Sequence, residues 1–180
     1  EMVERDWSSD VCSSDLARYN CGAAAASDTV YRFIRCRVGE YGLQAIDGIG
    51  LGSCDHSIID HCSISWTLDE GHSSRSAKNI TFQRNIIAEP LNDSYHYNDR
   101  DPNHLGTQPH AFAATIMGKN GSYHHNLLAH CTARNWSLGG GYYSPAVYSY
   151  DNIRNNVVYN WVYRTMEGCP WQIDYVNNYY

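Results

Sequence analysis

SYHHNLLAHCTARNW, residues 122–136, contains the two features on which the rest of the chain can be aligned. Its first half is a short apolar-alternating segment that leads to an asparagine, Asn126, and its second half carries a single arginine, Arg134. Similar segments recur from Val30 onward. Aligned on Asn126, they place one column at Cys36, Cys62, Asn85, Asn126, Asn156 and Asn178.

Two apolar columns flank this central column in all six segments. Three residues before it lie Phe33, Ile59, Phe82, Tyr123, Ile153 and Tyr175. Two residues after it lie Val38, Ile64, Ile87, Leu128, Val158 and Tyr180. The central positions are separated by 26, 23, 41, 30 and 22 residues. A period in the twenties with variable insertions is typical of a solenoid, and the β-rich segments predict an all-β protein, a parallel β-helix.

The asparagines of the central column have a physical role in such a coil. Asparagine tolerates the left-handed backbone conformation at a bend, and its amide can bond to the asparagines of the neighbouring turns, or rungs, of the coil. We therefore predict a stacked ladder at one corner. An antiparallel sandwich would need hairpin turns, and of the Asn-Gly type only Asn120-Gly121 is present.

Composition restricts the partners. The 180 residues carry a net charge of −6, which argues against nucleic acid, since phosphate binding needs a basic face. An acidic polymer can still bind if a divalent cation bridges the two. No apolar run reaches transmembrane length, so no membrane partner is expected.

The amino terminus predicts a division of the chain. DWSSDVCSSDL, residues 6–16, resembles the translation of a sequencing adapter and has no periodicity. We expect residues 1–16 to be non-native and residues 17–180 to be a fragment of one β-helix domain. The polar insertion at residues 91–112 is expected to form a loop on the binding face.

Counting from the central column places three charged residues on one face. Asp69 is seven residues after Cys62, and Arg134 and Arg164 are each eight residues after their asparagines. If the rungs stack in register, Asp69 and Arg134 lie two rungs apart, about 10 Å between backbones. Acidic and basic groups then flank a groove about one sugar wide.

Four ordered motifs carry a family resemblance: IIDHCSISWTLDE, NITFQRNIIAE, HHNLLAHCTARN and IRNNVVYNW. Together they resemble the pectate lyases of polysaccharide lyase family one. The resemblance implies a right-handed parallel β-helix, a secreted or periplasmic monomer, and calcium-assisted β-elimination of polygalacturonate with arginine as the base. The expected partner is therefore an acidic polysaccharide, and the expected cofactor is Ca²⁺.

The resemblance also implies roles for individual residues. Asp47 and Asp69 match the family's acidic residues, with Glu70 adjacent, so these three are the predicted calcium ligands. Arg134 matches the catalytic arginine. The family's Arg-x-Pro-Arg run is here Arg134-Asn135-Trp136-Ser137, so its second arginine is missing.

Four further residues are predicted to bind substrate. Arg164, one rung on, is placed to replace the missing second arginine, and Trp136 to stack on a sugar ring. The substrate-binding lysine of the family has no clear match, and His110 and Lys119 are its candidates.

Two other functions stay open from sequence. A β-helix hydrolase or epimerase acting on another acidic glycan needs a carboxylate pair, and Asp69 and Glu70 point apart if their backbone is extended. A non-catalytic glycan-binding β-helix needs no such pair. His124 and His125 suggest a metal, although neighbours on a strand face opposite sides and rarely share one ion.

Overall fold

A computed structural model of the chain describes residues 25–39, 45–95, 107–139 and 149–180. Residues 1–16, predicted to be non-native, lie outside the described residues. The described residues contain strands, turns and bends, and none of them forms a helix long and apolar enough to cross a membrane.

Three parallel sheets form the faces of a coil. The first contains β1 (Ser27–Arg32), β4 (Asp55–Asp60), β7 (Ala77–Gln83), β12 (Gly118–His124), β15 (Tyr150–Arg154) and β18 (Gln172–Val176). The second contains β2 (Arg35–Arg37), β5 (Ser63–Ser65), β8 (Ile86–Ala88), β13 (Leu127–Ala129) and β16 (Val157–Tyr159). The third contains β3 (Ile49–Gly50), β6 (Glu70–Ser73), β11 (Phe112–Ile116), β14 (Ala133–Leu138) and β17 (Glu167–Gly168).

The chain visits the three sheets in turn, and each strand pairs in parallel with its counterpart one rung away. The predicted parallel β-helix is therefore confirmed, and the sandwich is excluded. Among the described strands, antiparallel pairing is confined to β9 (Asp93–Tyr95) and β10 (Thr107–Pro109). These strands are the two ends of the insertion predicted to be a loop, so those ends form a ribbon instead.

The predicted asparagine ladder is present. The Oδ1 atoms of Asn126 and Asn156 accept hydrogen bonds, each 2.9 Å long, from the backbone N–H groups of Asn85 and Asn126. The Nδ2 atom of Asn126 donates to the carbonyl of Phe82 (3.0 Å) and to Oδ1 of Asn156 (2.9 Å). Because these groups are buried at a corner, the ladder satisfies polar atoms that water cannot reach.

The predicted alignment of the first rung is wrong by two residues. Cys36 pairs with Ile64, not with Cys62. Tyr31 pairs with Ile59, whereas Phe33, the predicted partner of Ile59, is 62% exposed. A shift of two residues preserves the alternation of sides within a strand, so the apolar pattern alone does not reveal it. Phe33 itself lies past the end of β1 with φ of 56° and does not face the core.

The left-handed backbone conformation also falls elsewhere than predicted. At this corner the residues with positive φ immediately precede the ladder positions, and they include His61 (φ 53°), Arg84 (φ 52°) and His125 (φ 57°). Asn126 itself is not among them. The corner therefore uses two adjacent positions, one to turn the backbone and one to bond along the coil.

Candidate active site

An acidic cluster lies where the third sheet begins. Asp47 precedes β3, Asp69 precedes β6, and Glu70 is the first residue of β6. Ile49 pairs with His72, so Asp47 lies beside Glu70 and accepts a hydrogen bond from its backbone N–H at 3.2 Å. Carboxylate oxygens of all three residues lie within 4.8 Å of one another. The predicted ligands are thus brought together.

The expectation that Asp69 and Glu70 point apart is wrong. Asp69 lies in a bend before β6 and not in extended backbone, so strand alternation does not apply to this pair. Their carboxylates therefore converge on the same point.

The electrostatics of the cluster follow from burial and close packing. Burial, and then the charge of Glu70, raise the pKa of Asp47 well above its usual range and that of Asp69 to about 7. Burial acts to raise the pKa of Glu70 too, but hydrogen bonds from Asp47 and Thr115 and the charge of Arg134 outweigh it and lower that pKa to about 2. Glu70 is consequently the member that holds its charge as the pH falls.

Arg134 reaches the cluster across the intervening strand. It lies on β14, two strands from β6, and its Nη1 contacts Oε1 of Glu70. Its guanidinium lies 4.1 Å from the centre of the Phe112 ring on the strand between them. The predicted gap of one sugar between the acidic and basic groups is therefore bridged by this ion pair.

The backbone of Arg134 adopts a conformation that recurs at the corners of the coil. Its φ of 52° is in the left-handed region, which is unfavourable for a residue with a Cβ and persists only where surrounding structure enforces it. The preceding pair, Ala133 with Phe112, and the following pair, Asn135 with Ala114, hold both sides of it in the sheet. Because other corner residues of the coil, such as Arg84 and His130, have the same conformation, the contacts of Arg134 and not its φ are the reason to assign it a function.

Two residues of the site were not predicted from sequence. Thr115, fully buried on β11, donates a hydrogen bond of 2.6 Å to Oε1 of Glu70. Glu167, at the start of β17, contacts Arg164 and lies with Oε1 at 3.8 Å from Nε of Arg134. For Glu167, the available sequence signal was its spacing of three residues from Arg164.

The predicted substrate-binding residues divide into two groups. Arg164 is half-exposed beside Glu167, and His110 lies with Nε2 at 3.9 Å from Oδ1 of Asp69, so both border the site. Lys119 lies on β12 in the first sheet, paired with Lys78, and contacts none of the site residues described above.

Trp136 does not have the predicted position. Its indole is fully buried, 5.6 Å from the Tyr123 ring and 6.3 Å from the Phe82 ring between centroids. Asn135 pairs with Ala114 but Ser137 with Thr115, so β14 contains one extra residue at Trp136. A buried core side chain offers no face to a sugar, and the assignment of Trp136 to substrate stacking is wrong.

His124 and His125 also differ from expectation. Their Nδ1 atoms are 2.8 Å apart, because the left-handed conformation of His125 ends β12 and redirects its side chain. Alternation along a strand therefore does not separate this pair. The two rings lie on the first sheet and its corner, away from the acidic cluster.

The described strands form a parallel β-helix that carries an acidic cluster and an arginine at one site, and the sequence of the chain is similar to those of proteins named probable pectate lyase C. The chain is 33% identical over 138 residues to a probable pectate lyase C of Neosartorya fischeri and 33% identical to one of Emericella nidulans. A probable pectate lyase C of Aspergillus oryzae is 30% identical over the same length. The resemblance indicated by the sequence motifs is thereby confirmed.

The match is partial on the side of the relatives. It covers 76% of this chain but 27% of each of those proteins, so the chain spans about a quarter of the length of the curated relatives it matches. No family model matches the chain.

Proposed function

We propose that the chain is part of a secreted, calcium-dependent pectate lyase that cleaves polygalacturonate by β-elimination. One observation carries the proposal, namely that the carboxylates of Asp47, Asp69 and Glu70 converge within 4.8 Å while Arg134 contacts Glu70. The names of the relatives support the same substrate.

The donor set fits calcium. Ca²⁺ prefers oxygen ligands from carboxylates, and three carboxylates this close repel one another when ionised. Burial, and then the charge of Glu70, raise the pKa of Asp69. A divalent cation removes that repulsion. When bound, calcium neutralises the substrate carboxylate and acidifies the C5 proton next to it.

Arg134 is the proposed base. In β-elimination it takes the C5 proton, the C5–H electron pair forms the C4–C5 double bond, and the C4–O bond breaks with its electron pair on the leaving glycosidic oxygen, which takes a proton from water. An arginine acts in this way only where its positive charge is disfavoured, and Glu70 and Glu167 both favour that charge. The base role therefore requires that these carboxylates bind other partners. The positive charges of Arg75 and Arg164 act in the opposite sense, because they disfavour the charge of Arg134.

Arg164 is the proposed anchor for a substrate carboxylate. Its guanidinium is 48% exposed and lies 4.7 Å from the centre of the exposed Tyr163 ring. A planar guanidinium recognises carboxylates through two parallel hydrogen bonds. Arg164 therefore stands in for the arginine missing after Trp136.

Product chemistry tests the proposal. The purified chain is incubated with polygalacturonate and Ca²⁺, and an unsaturated product is expected from the growth of ultraviolet absorbance, which a chelator should abolish. The Neosartorya fischeri protein is a full-length comparison. New reducing ends without absorbance would indicate a hydrolase, and binding without any new ends would indicate a glycan-binding β-helix; either contradicts the proposal.

Metal affinity should depend on pH through Asp69. Protons compete with cations for carboxylates, and the pKa of Asp69 is about 7, so affinity should rise with pH up to about 7 and then level off. One pH unit below that pKa, affinity should be about tenfold weaker than at the plateau. Terbium luminescence titrations measure this directly. Asp69→Asn should weaken the dependence, with the remainder coming from Asp47, whose pKa burial and the charge of Glu70 also raise well above its usual range. An unchanged pH profile in that variant would contradict the prediction.

A further inference from the structure

Glu167 lies beside both Arg134 and Arg164. Its Oε2 contacts Nη1 of Arg164, and its Oε1 lies 3.8 Å from Nε of Arg134. The carboxylate of Glu167 thus lies between two guanidiniums that come from successive rungs of the coil. That is the position in which an incoming carboxylate would meet both arginines.

The contacts of Glu167 are weaker than those of Glu70. The Glu167 side chain is 19% exposed and Arg164 is 48% exposed, whereas Glu70 is 1% exposed and is also held by Thr115. Exposed ion pairs contribute little to stability because water solvates the separated charges well. Of the two carboxylates on Arg134, Glu167 is therefore the one that can leave at low cost.

We propose that Glu167 is a displaceable internal carboxylate, which occupies the Arg134 and Arg164 pair until the carboxylate of an acidic sugar replaces it. The identity of the ligand as a uronate rests on the proposed function, whereas the two ion pairs do not. Displacement exchanges one carboxylate for another on the same guanidiniums, and no covalent bond changes.

Binding measurements on Glu167→Gln test the proposal. The amide keeps the shape but loses the charge, so polygalacturonate in the presence of Ca²⁺ should bind about two- to fivefold more tightly by isothermal titration, the range expected for one exposed ion pair. Glu167→Asp retains a carboxylate and should stay closer to the unsubstituted chain. Weaker or unchanged binding by Glu167→Gln would overturn the proposal, because it would make Glu167 a support for the arginines or irrelevant to them.

Asp174→Asn is the matched control. Asp174 is an exposed carboxylate on β18 of the first sheet, where Tyr150 donates a hydrogen bond to it. Its removal changes net charge by the same amount outside the site. Equal tightening in both variants would reduce the effect to general electrostatics and overturn the proposal.

Arginine labelling tests the role of Glu167 independently of the identity of the substrate. Phenylglyoxal modification, mapped by peptide mass spectrometry, should be faster at Arg164 in Glu167→Gln than in the unsubstituted chain, whether or not polygalacturonate binds. Faster labelling without polygalacturonate binding would reject polygalacturonate as the ligand but support the proposal that Glu167 occupies Arg164. An unchanged labelling rate at Arg164 would overturn that proposal.

Discussion

Arg134→Lys should lower the rate of polygalacturonate cleavage at least about a hundredfold, the size of effect expected when a positioned proton-transfer group is lost. Lysine keeps the positive charge but replaces the planar fork with a single ammonium on a flexible chain. It cannot contact Glu70 and approach Glu167 in the way that Nη1 and Nε of Arg134 do. Initial rates of absorbance growth at saturating Ca²⁺ measure the change.

Lysine is preferable to alanine here because Glu70 is 1% exposed. Alanine would leave this buried carboxylate with only the more distant guanidinium of Arg75, at 3.8 Å, which destabilises the fold as well as the site. The control is Arg154→Lys, an exposed arginine on β15. Terbium affinity of Arg134→Lys should remain near that of the unsubstituted chain. Activity within about tenfold of the control would rule out Arg134 as the base.

The fold was largely predictable because a solenoid repeats its constraints. Each rung must present an inward apolar residue at the same place, and the Asn126 column marks one corner of it. The first rung was misaligned because a shift of two residues preserves the alternation within a strand, and because Phe33, an exposed residue past the end of β1, was counted as facing the core. The turning residue was assigned to Asn126 and not to His125, since sequence pattern does not separate two adjacent corner positions.

The site was predictable only in part. Asp47, Asp69 and Glu70 lie together as the family resemblance implied, whereas strand alternation alone did not predict that Asp69 and Glu70 converge, because Asp69 lies in a bend. Thr115 and Glu167 escaped prediction because their contacts run between rungs, across insertions of different length.

Trp136 was misassigned for a local reason. Counting along β14 assumes one residue per partner, whereas the extra residue there places the indole in the core. An irregularity of this kind depends on the packing of the finished sheet, and residue spacing alone does not reveal it.

Asn126→Ala should lower the free energy of unfolding by about 3 kcal/mol or more, because each buried polar group left without a partner costs about 1–3 kcal/mol. The backbone N–H of Asn85 loses its acceptor, and the carbonyl of Phe82 loses its donor. Asn156 loses one of the donors to its Oδ1. A loss of this size is a large fraction of the stability of an ordinary domain.

Denaturant titration followed by fluorescence and by circular dichroism measures the change, since coincident transitions are needed before a free energy can be assigned to a repeat protein. The control is Asn160→Gly, an exposed corner asparagine with φ of 50° that contacts His130. Glycine tolerates that conformation, so only a surface contact is lost. Asn126→Asp keeps an acceptor for Asn85 but cannot donate to Phe82, and a buried charge without a cation is unfavourable. It should therefore be no more stable than Asn126→Ala at neutral pH. Equal unfolding midpoints for Asn126→Ala and Asn160→Gly would mean that the ladder bonds add nothing to the stacking of the strands.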